Sequence, residues 1–438
     1  MLVKFTVENW KSFKEKTEFS MVSTREKQHG QRIPKVARYR IRILPACAIF
    51  GGNASGKTNF VDALSFVQKF VKYGTRIGSL ISVKPFLLGE ESEQKDICSF
   101  DLVMMIKEKL YDYSFSVSRT SVIEEQLIEM TGKKEKLLYH RKNGEIFFET
   151  ELSENSPLRI VYEGTQDNQL FLSNAYFQKR REYADVYEWI SDNMTIVAPD
   201  TRFEEFSEYI LDFEKFEAEL NRVLNDLDTG IVRFALKDIP IEKLNLAQGA
   251  LERLESIVKE GHLLVQMRNW TEVTFFKRMG GELHALKMAT YHLNSSGHEV
   301  EFELQQESDG SQRAISLLPV FLQLAQSEKK KVFVIDELDR SLHSVLTRSL
   351  IKYYFSTCSP ESRSQMIFTT HDLMLMDQEL LRRDEMWVTE RDATGGSHLR
   401  ALCEYEDTRY DKNLLKSYLD SAFGGVPKVK ICTLKNHH

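Results

Sequence analysis

Cysteine is scarce in this chain: Cys47, Cys98, Cys358, Cys403 and Cys432 are an odd number, widely spaced, with no C-x-x-C pair. That excludes a disulfide framework, gives no support to a zinc ribbon, and leaves the thiols to be read as reduced. Long apolar runs are lacking too. None approaches the roughly 18 residues of a membrane span, and the opening "MLVKFTVENW" alternates apolar and polar residues, unlike a signal peptide. The expected compartment is the cytoplasm, with no membrane partner. Charge of one sign is missing as well, because a net charge of −6 gives no global attraction for nucleic acid. Only a local basic patch, to which "QKRREY" at 178–183 would contribute, keeps that partner possible. There is no internal repeat and no low-complexity tract, and no helical stretch is long enough for a coiled-coil arm. What remains, 438 residues with 42% hydrophobic and 28% charged, is material for two or three soluble domains.

Against that background, "IFGGNASGKTNF" at 49–60 stands out, because it fits G-x-x-x-x-G-K-[ST] with Gly51, Gly56, Lys57 and Thr58. It runs from a short apolar strand (Cys47, Ala48, Ile49, Phe50) into a helix, as a phosphate-binding loop must. In such a loop glycines let the backbone turn so that its N–H groups face a phosphate, and the helix presents its positive end. Gly51, Gly52, Asn53, Ala54, Ser55, Gly56, Lys57, Thr58 and Asn59 are therefore the expected nucleotide-binding set. Lys57 would reach the β- and γ-phosphates, and Thr58 would ligate Mg²⁺.

"KKKVFVIDELD" at 329–339 places four apolar residues before Asp336 and Glu337. A buried parallel strand ending in two carboxylates suits a Walker B site, with Asp336 beside the magnesium and Glu337 polarising the attacking water. Taken alone, it would equally be a core strand followed by a solvated acidic turn. "QMIFTTHDLMLMD" at 365–377 is another short apolar strand and delivers His371 at its end. Ligands of open α/β sheets gather at the C-terminal ends of strands, so His371, Asp336 and Gly51 are expected to converge, with His371 near the γ-phosphate. In "ESDGSQRAISLLPVF" at 307–321, Ser308 and Gly310 would offer a hydroxyl and backbone N–H groups at a helix start. Read in isolation it is a helix capped by Ser308 or Asp309 and kinked by Pro319.

Three parts are expected. Residues 1–200 form the first part of a head: Val3, Phe5 and Val7 give a half-buried strand at a sheet edge. Phe60, Ala63, Leu64, Val67, Phe70 and Val71 give one helical stripe, and an antiparallel β lobe from about 97 to 150 turns at "KNGE". Residues 201–275 read as a helical insertion, with Phe206, Tyr209, Ile210, Phe213, Phe216, Leu220 and Val223 on one face. Residues 276–438 return to the head through strands in "ELHALKMATYHLN" and "HEVEFELQQ".

Together, "GGNASGKT", "SDGSQ", "VFVIDE" and "TTH" in this order resemble the ATPase heads of the ABC and SMC superfamily. The chain is more closely similar to the compact ABC-type AAA ATPases without a coiled coil, the group of OLD-type, RloA-like and abortive-infection AbiL-type proteins. The resemblance covers residues 1 to about 100 and about 285 to 438, including "VENWKSF" and the closing "RYDKNLLKSYLDSAFGGVP". It implies an α/β head of mixed sheet with an antiparallel lobe, using ATP and Mg²⁺. Lys57, Glu337 (base) and His371 (switch) would be catalytic, Thr58 and Asp336 would support magnesium, and Ser308 and Gly310 would act on ATP of a second copy. Asp339 would lie in a dimer-contacting loop. Asp309 departs from the family's glycine, and Gln169 and Gln178 are the candidates for the Q-loop glutamine. The implied function is an ATP-driven homodimer or higher homo-oligomer that controls a nuclease or toxin-like effector in phage defence. The alternatives are an SMC-like DNA-acting ATPase and an OLD-type nuclease. Against the nuclease, only 67 residues follow His371, and the acids of "EYEDTRYD" at 404–411 read as a solvated loop.

Overall fold

Short, mostly apolar segments bounded by glycine, proline or charge become the buried strands of this protein. The computed structural model describes residues 1–89, 96–132, 134–149, 156–200, 213–244, 246, 249–260, 263–267, 273–326, 330–405 and 413–426. Phe206, Tyr209, Ile210 and most of "EYEDTRYD" lie outside them. The chain divides into one unit of Met1–Val197, Ser327–Leu338 and Phe355–His438, and a second of Ala198–Gln326 and Asp339–Tyr354. Among the described residues no helix is long and apolar enough to cross a membrane.

In the first unit, Ala46–Phe50, Val332–Ile335 and Gln365–Thr369 are buried at every position, the mark of strands covered on both faces. They form a six-stranded sheet in the order Met194–Val197, Val332–Ile335, Gln365–Thr369, Ala46–Phe50, Met386–Arg391, Ser397–Ala401. All neighbours are parallel except the last pair. Pairing of Ile335 with Phe368 and of Thr369 with Ile49 brings the C-terminal ends of three strands to one edge.

A second, antiparallel sheet of seven strands contains the expected lobe: Cys98–Ile106, Lys109–Val117, Val122–Met130, Glu135–Lys142 and Glu145–Phe148 follow one another. Asn143 and Gly144, with φ of 53° and 78°, make the tight turn of "KNGE". Leu2–Glu8 is not an edge strand: it pairs with Thr17–Ser20 on one side and Cys98–Ile106 on the other, which buries Thr6 along with the apolar residues. The helix Lys57–Tyr73 buries Phe60, Ala63, Leu64, Val67, Phe70 and Val71, as its spacing requires. Phe60 packs edge-on against Phe5 and Phe19, and Phe70 meets Phe115. Each such ring removes enough apolar surface to stabilise by about 1.5–3 kcal/mol, which fixes the helix on the sheet.

The second unit corrects the helical reading of 201–275. Helices Phe213–Asp226 and Ala250–Ile257 are present, but Arg233–Ile239 and Leu263–Met267 are strands. They join Val273–Met279, Glu282–Leu293 and Glu299–Glu303 in a five-stranded antiparallel sheet. The strands of "ELHALKMATYHLN" and "HEVEFELQQ" therefore belong to this sheet and not to the sheets of the head, because their hydrogen-bonding partners are here. The unit also takes in the helix Asp309–Ala325. Ser308, rather than Asp309, is its N-cap: the Ser308 hydroxyl accepts the Ser311 N–H at 3.1 Å. The helix runs through Pro319 to Ala325, and burial of Leu317, Leu318, Phe321 and Leu322 offsets the roughly 3 kcal/mol that an interior proline costs.

Candidate functional site

The loop that follows Ala46–Phe50 needs its glycines for two reasons. Gly51 and Gly56 have φ of +151° and +119°, where L side chains are strained. There is also no room: a Cβ on Gly51 would lie 2.6 Å from the Thr389 carbonyl oxygen, and one on Gly56 would lie 2.8 Å from Ser397 Cβ. Thr389 and Ser397 come from the neighbouring strands and clamp the loop. The Ser55 hydroxyl lies 2.6 Å from the Thr389 hydroxyl, and Ser397 donates to the Ser55 carbonyl at 2.7 Å. From the other end of the chain Ser12 accepts from Asn59 at 2.8 Å.

Lys57 is 5% exposed, so its ammonium must be satisfied within the loop. It donates to the carbonyls of Gly51 at 2.6 Å and Gly52 at 3.1 Å, and lies 3.4 Å from Nδ1 of His371. Thr58 is exposed in the first helical turn. Lys57 and His371, residues 314 apart in the chain, thus come together at the loop.

At the end of Val332–Ile335, Asp336 is 2% exposed and Glu337 is half-buried. Thr369 ties them together: its hydroxyl donates to Asp336 Oδ1 at 2.6 Å and accepts the Glu337 N–H at 2.8 Å. Glu337 has φ of +50°, a conformation uncommon for a residue with a Cβ and concentrated at functional sites. The Leu338 N–H then bonds the Thr369 carbonyl at 3.0 Å, so the turn after the strand is fixed to its neighbour. Asp336 and Glu337 follow one of three adjacent parallel strands, and the Lys57 and His371 pair follows the other two, at the C-terminal ends where an open α/β sheet binds its ligand. In such a set the ammonium can offset phosphate charge, and the carboxylates can hold a cation or orient a water.

Ser308, Gly310 and Asp339 belong to the second unit. A Cβ on Gly310 would lie 2.8 Å from the Ser341 carbonyl, so the start of that helix and the turn after Asp339 are packed backbone to backbone. Gln169 donates to the Thr75 carbonyl at 3.1 Å and Gln178 to Asn174 at 3.3 Å, partners outside the phosphate loop. The sequence reading missed Thr369, Thr389, Ser397 and Ser12. A signal existed for Thr369 alone, as a polar residue closing a buried apolar strand just before His371.

Fold and site define an ATPase domain of the P-loop class, an α/β sheet with its glycine loop between strand and helix. The family model "AAA domain, putative AbiEii toxin, Type IV TA system" matches residues 47–377, about three quarters of the chain, and the protein belongs to that family. Two solved structures are similar at 12% identity. One is the SMC head domain from Thermotoga maritima, with a TM-score of 0.37 over 91% of this chain and 98% of that one. The other is an SMC head bound to the C-winged helix domain of ScpA, with a TM-score of 0.41 over 91% and 96%. No curated protein matches the chain.

Proposed function

We propose that the protein hydrolyses ATP to ADP and phosphate in a Mg²⁺-dependent cycle, and that the cycle switches an assembly of heads which controls an effector. The observation that carries the catalytic part is the joint held by Thr369, which fixes Asp336 and Glu337 at the end of a strand whose neighbour leads to His371, itself 3.4 Å from Lys57. In this reading the loop 51–59 wraps the phosphates with backbone N–H groups, and Lys57 exchanges its carbonyl partners for β- and γ-phosphate oxygens. Thr58 and Asp336 supply hard oxygen donors of the kind Mg²⁺ prefers, and Asp336 is pre-oriented through Oδ1. When bound, the metal neutralises phosphate charge. Glu337 accepts a proton from the attacking water, and His371 stands at the γ-phosphate end of Lys57.

The switch is supported by family membership and by the resemblance to head ATPases that close on a second copy. Ser308 and Gly310 act in trans on the partner's ATP. The words "toxin" and "Type IV TA system" in the family description favour a role in abortive defence with a toxin-like effector. They also favour a second reading, in which this chain is itself the toxic member, distinguished by whether its expression alone arrests growth.

The test is Glu337→Gln. It should bind ATP as the wild type does and lose 10² to 10⁴ of turnover, about 3 to 5 kcal/mol in the barrier. Lys57→Ala should fail to hold the triphosphate. Tagged Glu337→Gln protein recovered with ATP and Mg²⁺, and weighed by native mass spectrometry, should carry a stoichiometric protein partner absent from Lys57→Ala. Wild-type hydrolysis by Glu337→Gln would remove it as the base, and recovery with nucleic acid alone would favour a DNA-acting ATPase.

A further inference from the structure

The segment from Asn413 to Gly425 belongs to no phosphate-binding motif, yet it holds the phosphate loop. The Gly52 N–H donates to the Gly425 carbonyl at 2.8 Å. The Tyr418 hydroxyl, on a residue 3% exposed in the helix Leu414–Leu419, donates to the same oxygen at 2.9 Å. A carbonyl has two lone pairs, so this acceptor is saturated by one donor from the loop and one from the strap. On its other side, the Gly52 carbonyl takes the Lys57 ammonium at 3.1 Å and the Ser55 N–H at 3.3 Å. A continuous chain of contacts thus runs from the Tyr418 hydroxyl through Gly425 and Gly52 to the ammonium of Lys57.

The strap is fixed independently of the loop. Phe423 is 1% exposed, its ring lies 5.2 Å from that of Tyr405, and its carbonyl accepts the Tyr405 hydroxyl at 2.9 Å. Gly424 and Gly425 both have left-handed φ, +70° and +73°. A Cβ on Gly425 would lie 2.8 Å from Val388 Cγ1 and 3.1 Å from the Thr389 carbonyl. Gly425 is therefore pressed on the strand whose Thr389 side chain clamps Ser55.

We infer that Tyr418 and Gly425 are positioning residues for the triphosphate: they set the Gly52 peptide, and through it the place at which Lys57 is offered. The inference rests on the ATPase reading. Its physical content is pre-organisation, since a loop tied at Gly52 has fewer conformations to lose when ATP binds. Positioning of the triphosphate should appear in binding and KM, and the chemical step that depends on Glu337 should keep its kcat.

The experiment measures ATP dissociation constants, KM, kcat and nucleotide-free melting midpoints for the wild type, Tyr418→Phe and Gly425→Ala. Tyr418→Phe keeps the ring and removes only the hydroxyl. It should weaken ATP binding and raise KM by about fivefold, the equivalent of one neutral hydrogen bond, with kcat near that of the wild type and only a small drop in the nucleotide-free midpoint. Gly425→Ala keeps the carbonyl but puts a Cβ 2.8 Å from Val388 Cγ1 at a φ of +73°, so the carbonyl must shift away from the Gly52 N–H, and binding should weaken by roughly tenfold or more. Wild-type affinity in Tyr418→Phe, or a lowered midpoint with unchanged affinity, would overturn the positioning role even if Gly425→Ala does not fold. Wild-type protein that binds no ATP would overturn the ATPase reading and this inference with it. Intact wild-type binding with unaltered variants overturns the inference alone.

Discussion

The Thr369 hydroxyl donates to one functional carboxylate and accepts from the backbone of the other, and this has a measurable consequence. Hydrogen bonds to a buried charge are worth about 1.5–3 kcal/mol, and Asp336 is nearly fully buried. Thr369→Val keeps the shape, so ATP binding should remain within about twofold while kcat falls by about 10- to 100-fold. Thr369→Ser should restore most of it. Steady-state kinetics of the two variants decide, and an unchanged kcat in Thr369→Val would show that Asp336 and Glu337 need no such tie. Lys57, Asp336, Glu337 and His371 were legible because each sits in a short local pattern of strand, turn or helix. Thr389 was not, because it acts on Ser55 from 334 residues away and nothing near it in the chain marks the contact. Spacing reveals residues that one segment must supply, and it hides those that one segment lends another.

At the level of elements the same limit explains 201–275. Helix Phe213–Asp226 buries Leu220, Val223 and Leu224 and could be read from its period. Arg233–Ile239 buries only Phe234, so alternation is nearly absent, and it is a strand because Glu282–Leu293 pairs with it along its length. Edge strands of this kind carry little periodic signal of their own. The antiparallel lobe, by contrast, was legible, and it carries a pH-dependent feature. Asp101 pairs with Ser114 and Asp112 with Val103, so the two carboxylates are diagonal neighbours on one face. Burial, and then the Asp101 charge, push Asp112 up to about 7, against 3.8 ordinarily. The folded protein therefore keeps a proton that the unfolded chain has already released between about pH 4 and pH 7. Stability should fall across that interval and level off above it, the reverse of a salt-bridged carboxylate. Asp112→Asn should flatten this part of the profile and raise the melting midpoint at pH 8. A wild-type midpoint that does not fall between pH 5 and pH 7 relative to Asp112→Asn would mean the pair is not strained.

For the whole molecule the question is whether one chain completes a catalytic site. The phosphate loop, Asp336, Glu337 and His371 lie in the first unit, whereas Ser308 and Gly310 lie in the second. If the signature residues act in trans, a protein with a faulty loop and a protein with a faulty signature fail for different reasons. In a symmetric dimer the first still lends a good Ser308, and the second still lends a good loop. Lys57→Ala and Ser308→Ala should each be inactive alone, the second while still binding ATP. Mixed in equal amounts, half of the dimers are hetero-pairs with one intact composite site out of two, so turnover should recover to about a quarter of the wild-type rate. Colorimetric phosphate release from the mixture, titrated from one variant to the other, tests this directly. A bell-shaped titration requires sites built from two chains. A flat line at the background rate, with both variants shown by native mass spectrometry to exchange subunits, would mean that Ser308 serves its own chain's ATP or none.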